Sequence, residues 1–289
     1  MKTIKEKAYA KLNLSLDIIS KMDDGYHAMK MVMQSAGLCD EISLSETNSK
    51  GIAVRTNLSY LPKDDRNIAV KAADMFMEET GVLIPGLFID IQKNIPVCAG
   101  LGGGSSDGAA VLRAMNALTG AGLSAEELMA MGSRLGSDVP FCVAGGTALA
   151  TGKGEVLSPL PPLPPCSIVI CKPEFSISTP KLFSRINCSK MHHHPDTDGI
   201  IKALNAEDLT GVSRRMYNVF EEVLPEQFSD VGLIKAKLLD CRALGVSMSG
   251  TGSAVFGLFD SYKCAQTAYQ LLSKDYSACF LTRPIGRLM

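Results

Sequence analysis

Four glycines, Gly100, Gly102, Gly103 and Gly104, fall within five residues, and no other stretch of the 289-residue chain constrains its fold as tightly. Ahead of them Leu87, Ile89 and Ile91 alternate in a strand-like run that Pro96 and Val97 close. Behind them come two hydroxyls, Ser105 and Ser106, and then Ala110, Val111, Ala114, Met115 and Leu118 at helical spacing, with Gly120 as the stop. Glycine costs backbone entropy, so such a run is expected where the chain needs positive φ or close approach to a ligand. Either serine is a suitable N-cap. A glycine loop entering a helix is an anion site, because free N–H groups and the helix dipole point the same way. The stretch reads as a phosphate cradle.

Two familiar phosphate motifs are excluded. A Walker A loop needs GxxxxGK followed by Ser or Thr, and no Lys follows these glycines. The later Gly152-Lys153 pair fails as well, with Thr147 at the first glycine position and Gly154 at the hydroxyl position. A dinucleotide fingerprint fails because Ser105 stands where Gly100-x-Gly102 requires a third glycine.

The pattern Pro96-x-x-x-Gly100-Leu101-Gly102-Gly103-Gly104-Ser105-Ser106, with its Ala-rich helix, resembles the central motif of the galacto-, homoserine, mevalonate and phosphomevalonate (GHMP) kinase superfamily. Within it, the triple glycine followed by Ser-Ser-Asp is similar to the branch acting on a diphosphocytidyl-linked methylerythritol. The resemblance extends over most of the chain in order and is looser in the last third. It implies a two-domain α+β architecture. An N-terminal ATP-binding domain over residues 1–160 would be α/β, like ribosomal S5 domain 2, and a C-terminal domain would cover residues 166–289. Pro159 to Pro165 reads as a stiff joint between them. Beyond it the order strand, helices, strand, turn, strand, helix, strand predicts a ferredoxin-like α/β sandwich.

Composition is that of a globular protein, with 46% hydrophobic and 20% charged residues. A net charge of −1 gives no basic field for nucleic acid or an anionic membrane. No apolar run approaches a membrane span and no signal-peptide core follows the first residues. Nine scattered cysteines without a CxxC pair read as free thiols in a reducing compartment, and the expected location is cytoplasmic. The implied state is a monomer or homodimer.

Along the chain, Tyr9 to Ile18 alternates, with Ala10, Leu12, Leu14, Leu16 and Ile18 on one face and Lys11, Asn13, Ser15 and Asp17 on the other. By itself this is a half-buried strand with a solvated polar face; its likeness to the family's N-terminal motif makes Lys11 and Asn13 site residues. Asp24-Gly25-Tyr26-His27 is a turn signal, and its match to the family places the cytosine against Tyr26 and His27. Met29 to Leu44 reads as extended segments split by Gly37 to Asp40. A helix opens at Asp64-Asp65-Arg66-Asn67-Ile68 and closes at Gly81. By resemblance Asn67 and Ile68 lie near the adenine. Lys93 reads either as a residue reaching the nucleotide or as a solvated strand-end lysine.

Ser124 and Glu127 form a capping box. The following Leu135-Gly136-Ser137-Asp138-Val139-Pro140-Phe141 resembles the family's LGADVPF, whose Asp is catalytic; as a bare turn residue Asp138 would bond its own backbone. Ser178-Thr179-Pro180 opens a helix, and the resemblance makes Thr179 a substrate contact and sets Phe183 over the cytosine opposite Tyr26. Val246 to Phe256 is a second glycine turn similar to the superfamily's third motif. His192-His193-His194 lacks the i, i+4 spacing of a helical metal pair and reads as a solvated loop. Gly108 departs from the Ala usual in the family.

Taken together, the resemblance implies an ATP-dependent kinase with Mg²⁺, acting on the 2-hydroxyl of a small cytidine-diphosphate-linked polyol in non-mevalonate isoprenoid synthesis. The Gly100–Ser106 amides would hold the phosphates, with a serine hydroxyl, Ser106 foremost, on Mg²⁺. Asp138 would take the attacking proton, Lys11 would offset charge on the transferred group, and Asn13 would orient the polyol. A sibling kinase for mevalonate, homoserine or a sugar, and a non-catalytic nucleotide-binding regulator, are the alternatives.

Overall fold

In the computed structural model, which describes residues 2–188, 191 and 193–289, two long antiparallel strands form the spine. These are β1 (Thr3–Lys21) and β2 (His27–Glu46). The expected break at Gly37 to Asp40 is not a break. β2 runs through it, and the register passes from Tyr9↔Cys39 to Ala10↔Ala36, so that Gly37 and Leu38 form a bulge. The far edge of β2 takes three partners in succession: β4 (Gly86–Gln92), β12 (Pro284–Ile285) and β5 (Thr147–Thr151). β3 (Gly51–Thr56) extends the sheet beyond β4, β6 (Val156–Pro159) pairs with β5, and β8 (Tyr217–Asn218) lies against β1.

Helices α1 (Ile68–Thr80), α2 (Gly103–Thr119), α3 (Ala125–Leu135) and α4 (Val139–Ala144) pack in the first half. Their caps follow the sequence. The Asn67 side chain accepts from the Ala69 amide, Ser124 and Glu127 complete the capping box, and Gly81 and Gly120 end α1 and α2 in the left-handed region. Leu112, Met115, Phe76 and Ile89 are among the side chains fully withdrawn from solvent between helices and sheet. Burying a side chain of this kind contributes about 1.5–3 kcal/mol.

The second half holds an antiparallel sheet in the order β11 (Ala278–Thr282), β7 (Ser167–Lys172), β10 (Val255–Phe259), β9 (Gly245–Met248). α5 (Thr179–Phe183), α6 (Thr197–Asn205), α7 (Leu209–Ser213) and α8 (Asp230–Asp240) follow β7, and α9 (Tyr262–Leu272) links β10 to β11. This is the strand order of the expected ferredoxin-like sandwich. The chain then returns, since β12 joins the first sheet and the Leu288 amide donates to the Ala144 carbonyl at 2.8 Å. All nine cysteines are free, and among the described residues no helix is long and apolar enough to cross a membrane.

β1 is the element on which the site depends. Both of its faces are buried from Ala10 to Ile18, including Lys11 at 5%, Asn13 at 0% and Asp17 at 6% exposure. The solvated polar face suggested by alternation alone is therefore absent, because β8 and the second glycine turn cover it.

Candidate active site

Two glycine turns meet over Lys11. The Gly102 carbonyl accepts the first helical bond of α2 from Ser106, leaving the Gly103, Gly104 and Ser105 amides ahead of it as the free N–H groups of a helix start. The N-cap is Gly102, with φ +69°, and not a serine. The expected serine cap fails because Ser106 lies one turn into the helix, 1% exposed, with its hydroxyl donating to the Tyr9 carbonyl at 2.5 Å. That bond spends the Ser106 hydroxyl hydrogen and leaves the oxygen lone pairs, while Ser105 is the hydroxyl at the partly exposed end.

The glycines are required by what they touch. Gly100 has φ +75°, and a Cβ there would stand 2.0 Å from the Ser249 carbonyl oxygen; at Gly102 it would stand 2.7 Å from Cγ of Lys11. Around them the Lys11 amide donates to the Leu101 carbonyl at 2.9 Å, and the Ala254 amide to that of Ala99 at 3.0 Å. Ser249 Oγ donates to the Gly100 carbonyl at 2.9 Å, and Asn218 Nδ2 donates to the Met248 and Gly250 carbonyls at 2.8 Å each. Pro96 and Val97 lead into this turn half-buried, and Leu101 is buried.

Lys11 Nζ lies 2.8 Å from Asn13 Oδ1 and 3.4 Å from Asp138 Oδ2. Asp138 occupies the N-cap position of α4 yet makes no capping hydrogen bond with its side chain, and its carboxylate stays 27% exposed. The turn role of bonding its own backbone is not the one seen; the oxygens point at an ammonium and solvent. Asn13 is spoken for: its amide oxygen also accepts from Gly250 at 3.0 Å and its nitrogen faces Met31 Sδ at 3.3 Å. It holds Lys11 and the second glycine turn, and its amide nitrogen carries a second N–H besides the one facing Met31. Beside this pair the Cys142 thiol is pushed up to about 12 by burial and then by the neighbouring Asp138 charge, so it stays a neutral packing group.

A second cluster lies at the Asp-Gly-Tyr-His turn. The His27 and Phe183 rings are 5.3 Å apart, and Phe183 meets Phe220 edge-on at 4.8 Å. Tyr26 is 61% exposed, with Lys153 Nζ 4.2 Å from its ring centroid. Burial, then the Lys21 charge, lowers the His27 pKa and favours the neutral ring. Thr179 Oγ1 lies 2.8 Å from Thr251 Oγ1 of the second glycine turn, which links the Ser-Thr-Pro helix start to the Lys11 neighbourhood.

Lys93 is neither solvated nor free. It is 8% exposed, and its ammonium is held by Asp40 and by Asp107 Oδ2, with the Gly103 carbonyl at 3.5 Å. Asn67 spends its amide on capping α1 and on the Pro62 carbonyl at 2.9 Å, while Ile68 packs against α2, 3.8 Å from a Cβ placed at Gly104. A cavity of about 510 Å³ lined by Tyr60, Pro62, Lys63 and Arg66 adjoins Asn67. Of the histidine run, His192 lies outside the described residues; the exposed His193 and His194 pair with Glu222 at 3.2 Å and Asp17 at 2.8 Å.

Three groups built into the site have no counterpart among the residues expected from sequence. Asp107 could have been noticed, since it shares the buried stripe of α2 with Ala110, Val111 and Ala114, where a charge needs a partner. So could Arg113, 7% exposed, which donates to the Cys142 carbonyl at 2.8 Å and ties α2 to the far end of α4. Asn218 carries no local signal.

The model of the GHMP kinases N terminal domain matches residues 67–146, and that of the GHMP kinases C terminal domain matches residues 200–278. A 4-diphosphocytidyl-2-C-methyl-D-erythritol kinase of Clostridium botulinum (strain Alaska E43 / Type E3) is 43% identical over 279 residues, covering 96% of this chain and 99% of that protein. The chain belongs to this kinase family. A crystal structure of 4-(cytidine 5'-diphospho)-2C-methyl-D-erythritol kinase superposes with a TM-score of 0.84 at 31% identity, over 98% of this chain and 100% of that one. A homoserine kinase from Cytophaga hutchinsonii, at 23% identity and a TM-score of 0.76, shares the fold. Members of the superfamily are ATP-dependent kinases, and the two glycine turns meeting at Lys11 and Asp138 belong to the two matched halves of this 4-diphosphocytidyl-2-C-methyl-D-erythritol kinase family member.

Proposed function

We propose that this chain transfers the γ-phosphoryl group of ATP to the 2-hydroxyl of 4-diphosphocytidyl-2-C-methyl-D-erythritol. The observation that carries the reading is one ammonium, Lys11, wedged between both glycine turns and 3.4 Å from an uncapped carboxylate, Asp138. Phosphoryl transfer is mostly positioning and charge stabilisation, and this arrangement supplies both. A nucleotide-binding regulator needs neither group.

The Gly103, Gly104 and Ser105 amides bind the terminal phosphates as a helix N-terminus binds anions. Asp138 accepts the proton of the attacking hydroxyl while a new O–P bond forms and the bond to the departing ADP breaks. Lys11 faces the charge that develops on the transferred group, and Asn13 acts through Lys11 by fixing its ammonium. Mg²⁺ would neutralise phosphate charge when bound; a hydroxyl of Ser105 or Ser106 and the Asp138 carboxylate are the oxygens that would hold it, few enough for an ion that keeps waters and nucleotide oxygens.

Tyr26, His27 and Phe183 hold the cytosine by stacking and by the neutral imidazole, and Thr179 contacts the substrate next to Thr251. The cavity beside Asn67 receives the adenine end, with Ile68 against the cradle. Steady-state ADP release tests the substrate. We expect turnover with the cytidyl polyol and background rates with mevalonate or homoserine. Equal turnover with mevalonate would remove any role for the Tyr26 platform and refute the assignment.

A further inference from the structure

The helix that delivers Asp138 is too short to hold itself in place. α4 spans 6 residues, Val139–Ala144, and a helix of that length needs partners outside itself. Its first end carries Asp138, whose side chain makes no capping bond. Its other end is fastened from two directions. The Cys142 carbonyl accepts from Arg113 Nη1 at 2.8 Å, with the Val143 carbonyl 3.5 Å from the same nitrogen, and the Ala144 carbonyl accepts from the Leu288 amide at 2.8 Å. Among the described residues, Arg113 is the only side chain that donates to a carbonyl of α4. The same guanidinium reaches β1, where Nη2 donates to the Lys7 carbonyl at 2.9 Å and Nε to Glu6 Oε2 at 3.3 Å.

We propose that Arg113 is a positioning residue for the phosphoryl transfer: its planar fork fixes α4 against β1 and so sets where the Asp138 carboxylate stands relative to Lys11. The inference rests on the reading that Asp138 takes the attacking proton. Arg113 lies about 15 Å along α2 from the cradle residue Gly103, at ~1.5 Å rise per residue, too far to touch a phosphate held there. One side chain thus joins the three elements that carry the cradle, Lys11 and Asp138. It is 7% exposed, while its carboxylate partner Glu6 is 31% exposed, so the buried charge is held mainly by backbone carbonyls. A buried guanidinium is costly unless its donors are used; if packing alone were needed, an aliphatic side chain would stand there with no charge to desolvate. Burial of Val139, Phe141 and Val143 seats α4 in the core, but burial is non-directional. The directed contacts from other elements to its last carbonyls are those of Arg113 and the Leu288 amide. Lysine has the charge without the fork and cannot reproduce the planar bridge.

Single-turnover transfer by Arg113→Lys, alone and combined with Asp138→Asn, tests this. A shift of about 1 Å at reacting groups costs on the order of 10²-fold. R113K should therefore slow transfer by about 10- to 10²-fold, with the dissociation constants of ATP and the cytidyl polyol within about two-fold of wild type. In the D138N background the same change should slow the residual transfer by no more than about two-fold, because the carboxylate it positions is already gone. The urea midpoint, by contrast, should fall equally in both backgrounds. Wild-type transfer by R113K, an equal loss of rate in both backgrounds, or weakened binding with the transfer rate unchanged would each overturn the proposal. Transfer at the wild-type rate in D138N alone would instead overturn the reading of Asp138 beneath it. If R113K does not fold, Arg113→Gln, which keeps one amide donor group for the Cys142 carbonyl, is measured in its place with the same expectations. Glu6→Gln keeps both carbonyl bonds and should leave transfer within about two-fold of wild type, since a partly exposed ion pair contributes little. A loss matching that of the Arg113 variant would show that the ion pair acts and the bridge does not, and would refute the assignment.

Discussion

Replacing Gly102 by alanine tests how the cradle and Lys11 depend on one another. The new Cβ would stand 2.7 Å from Cγ, 3.5 Å from Cε and 3.7 Å from Cδ of Lys11. Carbon atoms prefer about 3.5–4.0 Å, so Lys11 must retreat by roughly 1 Å. Its ammonium then leaves Asn13 Oδ1, now at 2.8 Å, and moves relative to Asp138, now at 3.4 Å. A displacement of about 1 Å costs on the order of 10²-fold in rate, or about 2.7 kcal/mol in barrier. The φ of +69° adds about 1–2 kcal/mol of folding cost, which lowers Tm by roughly 2–8 °C in a chain of this size. The assay is kcat from ADP release beside a thermal melt. Lys11→Ala has no Cγ and so leaves room for the new methyl group. The double variant should lose about as much kcat as K11A alone, because both changes remove one interaction. Losses that multiply would show that Gly102 does not act through Lys11.

Tyr26→Ala should raise KM for the cytidyl substrate by about ten-fold or more, given about 1–3 kcal/mol per stacked base, and leave the KM for ATP unchanged; equal effects on both would count against the platform. Gly108→Ala, which would restore the residue usual in the family, should destabilise this chain, because its Cβ would meet Ile68 Cγ2 at 2.4 Å. Overpacking of this kind costs about 1–3 kcal/mol. Adding Ile68→Ala should recover part of that loss in urea unfolding, and a stabilised single variant would contradict the packing.

The elements were legible because the residues that start and stop them act locally. Asn67, Ser124, Gly81 and Gly120 cap where their chemistry says they should, and strand alternation located β1. Alternation could not say whether the polar face of β1 is wet, since that depends on β8 and on a glycine turn more than two hundred residues away. The same limit explains Lys93, whose partners Asp40 and Asp107 come from other elements. Ser106 was misplaced because the left-handed Gly102 starts the helix early, which puts the serine a turn inside and against the Tyr9 carbonyl. Asp138 and Lys11 stood out only through resemblance. A strand lysine and a turn aspartate are ordinary residues until the fold sets them 3.4 Å apart.

The most direct test of that pairing is single-turnover phosphoryl transfer by Asp138→Asn, with nucleotide and cytidyl-polyol affinities measured on the same protein. Loss of a general base should slow transfer by about 10²–10⁴-fold while both ligands still bind with nearly wild-type affinity. Transfer at the wild-type rate would contradict the assignment of the proton to Asp138, and with it the chemistry proposed for the two glycine turns.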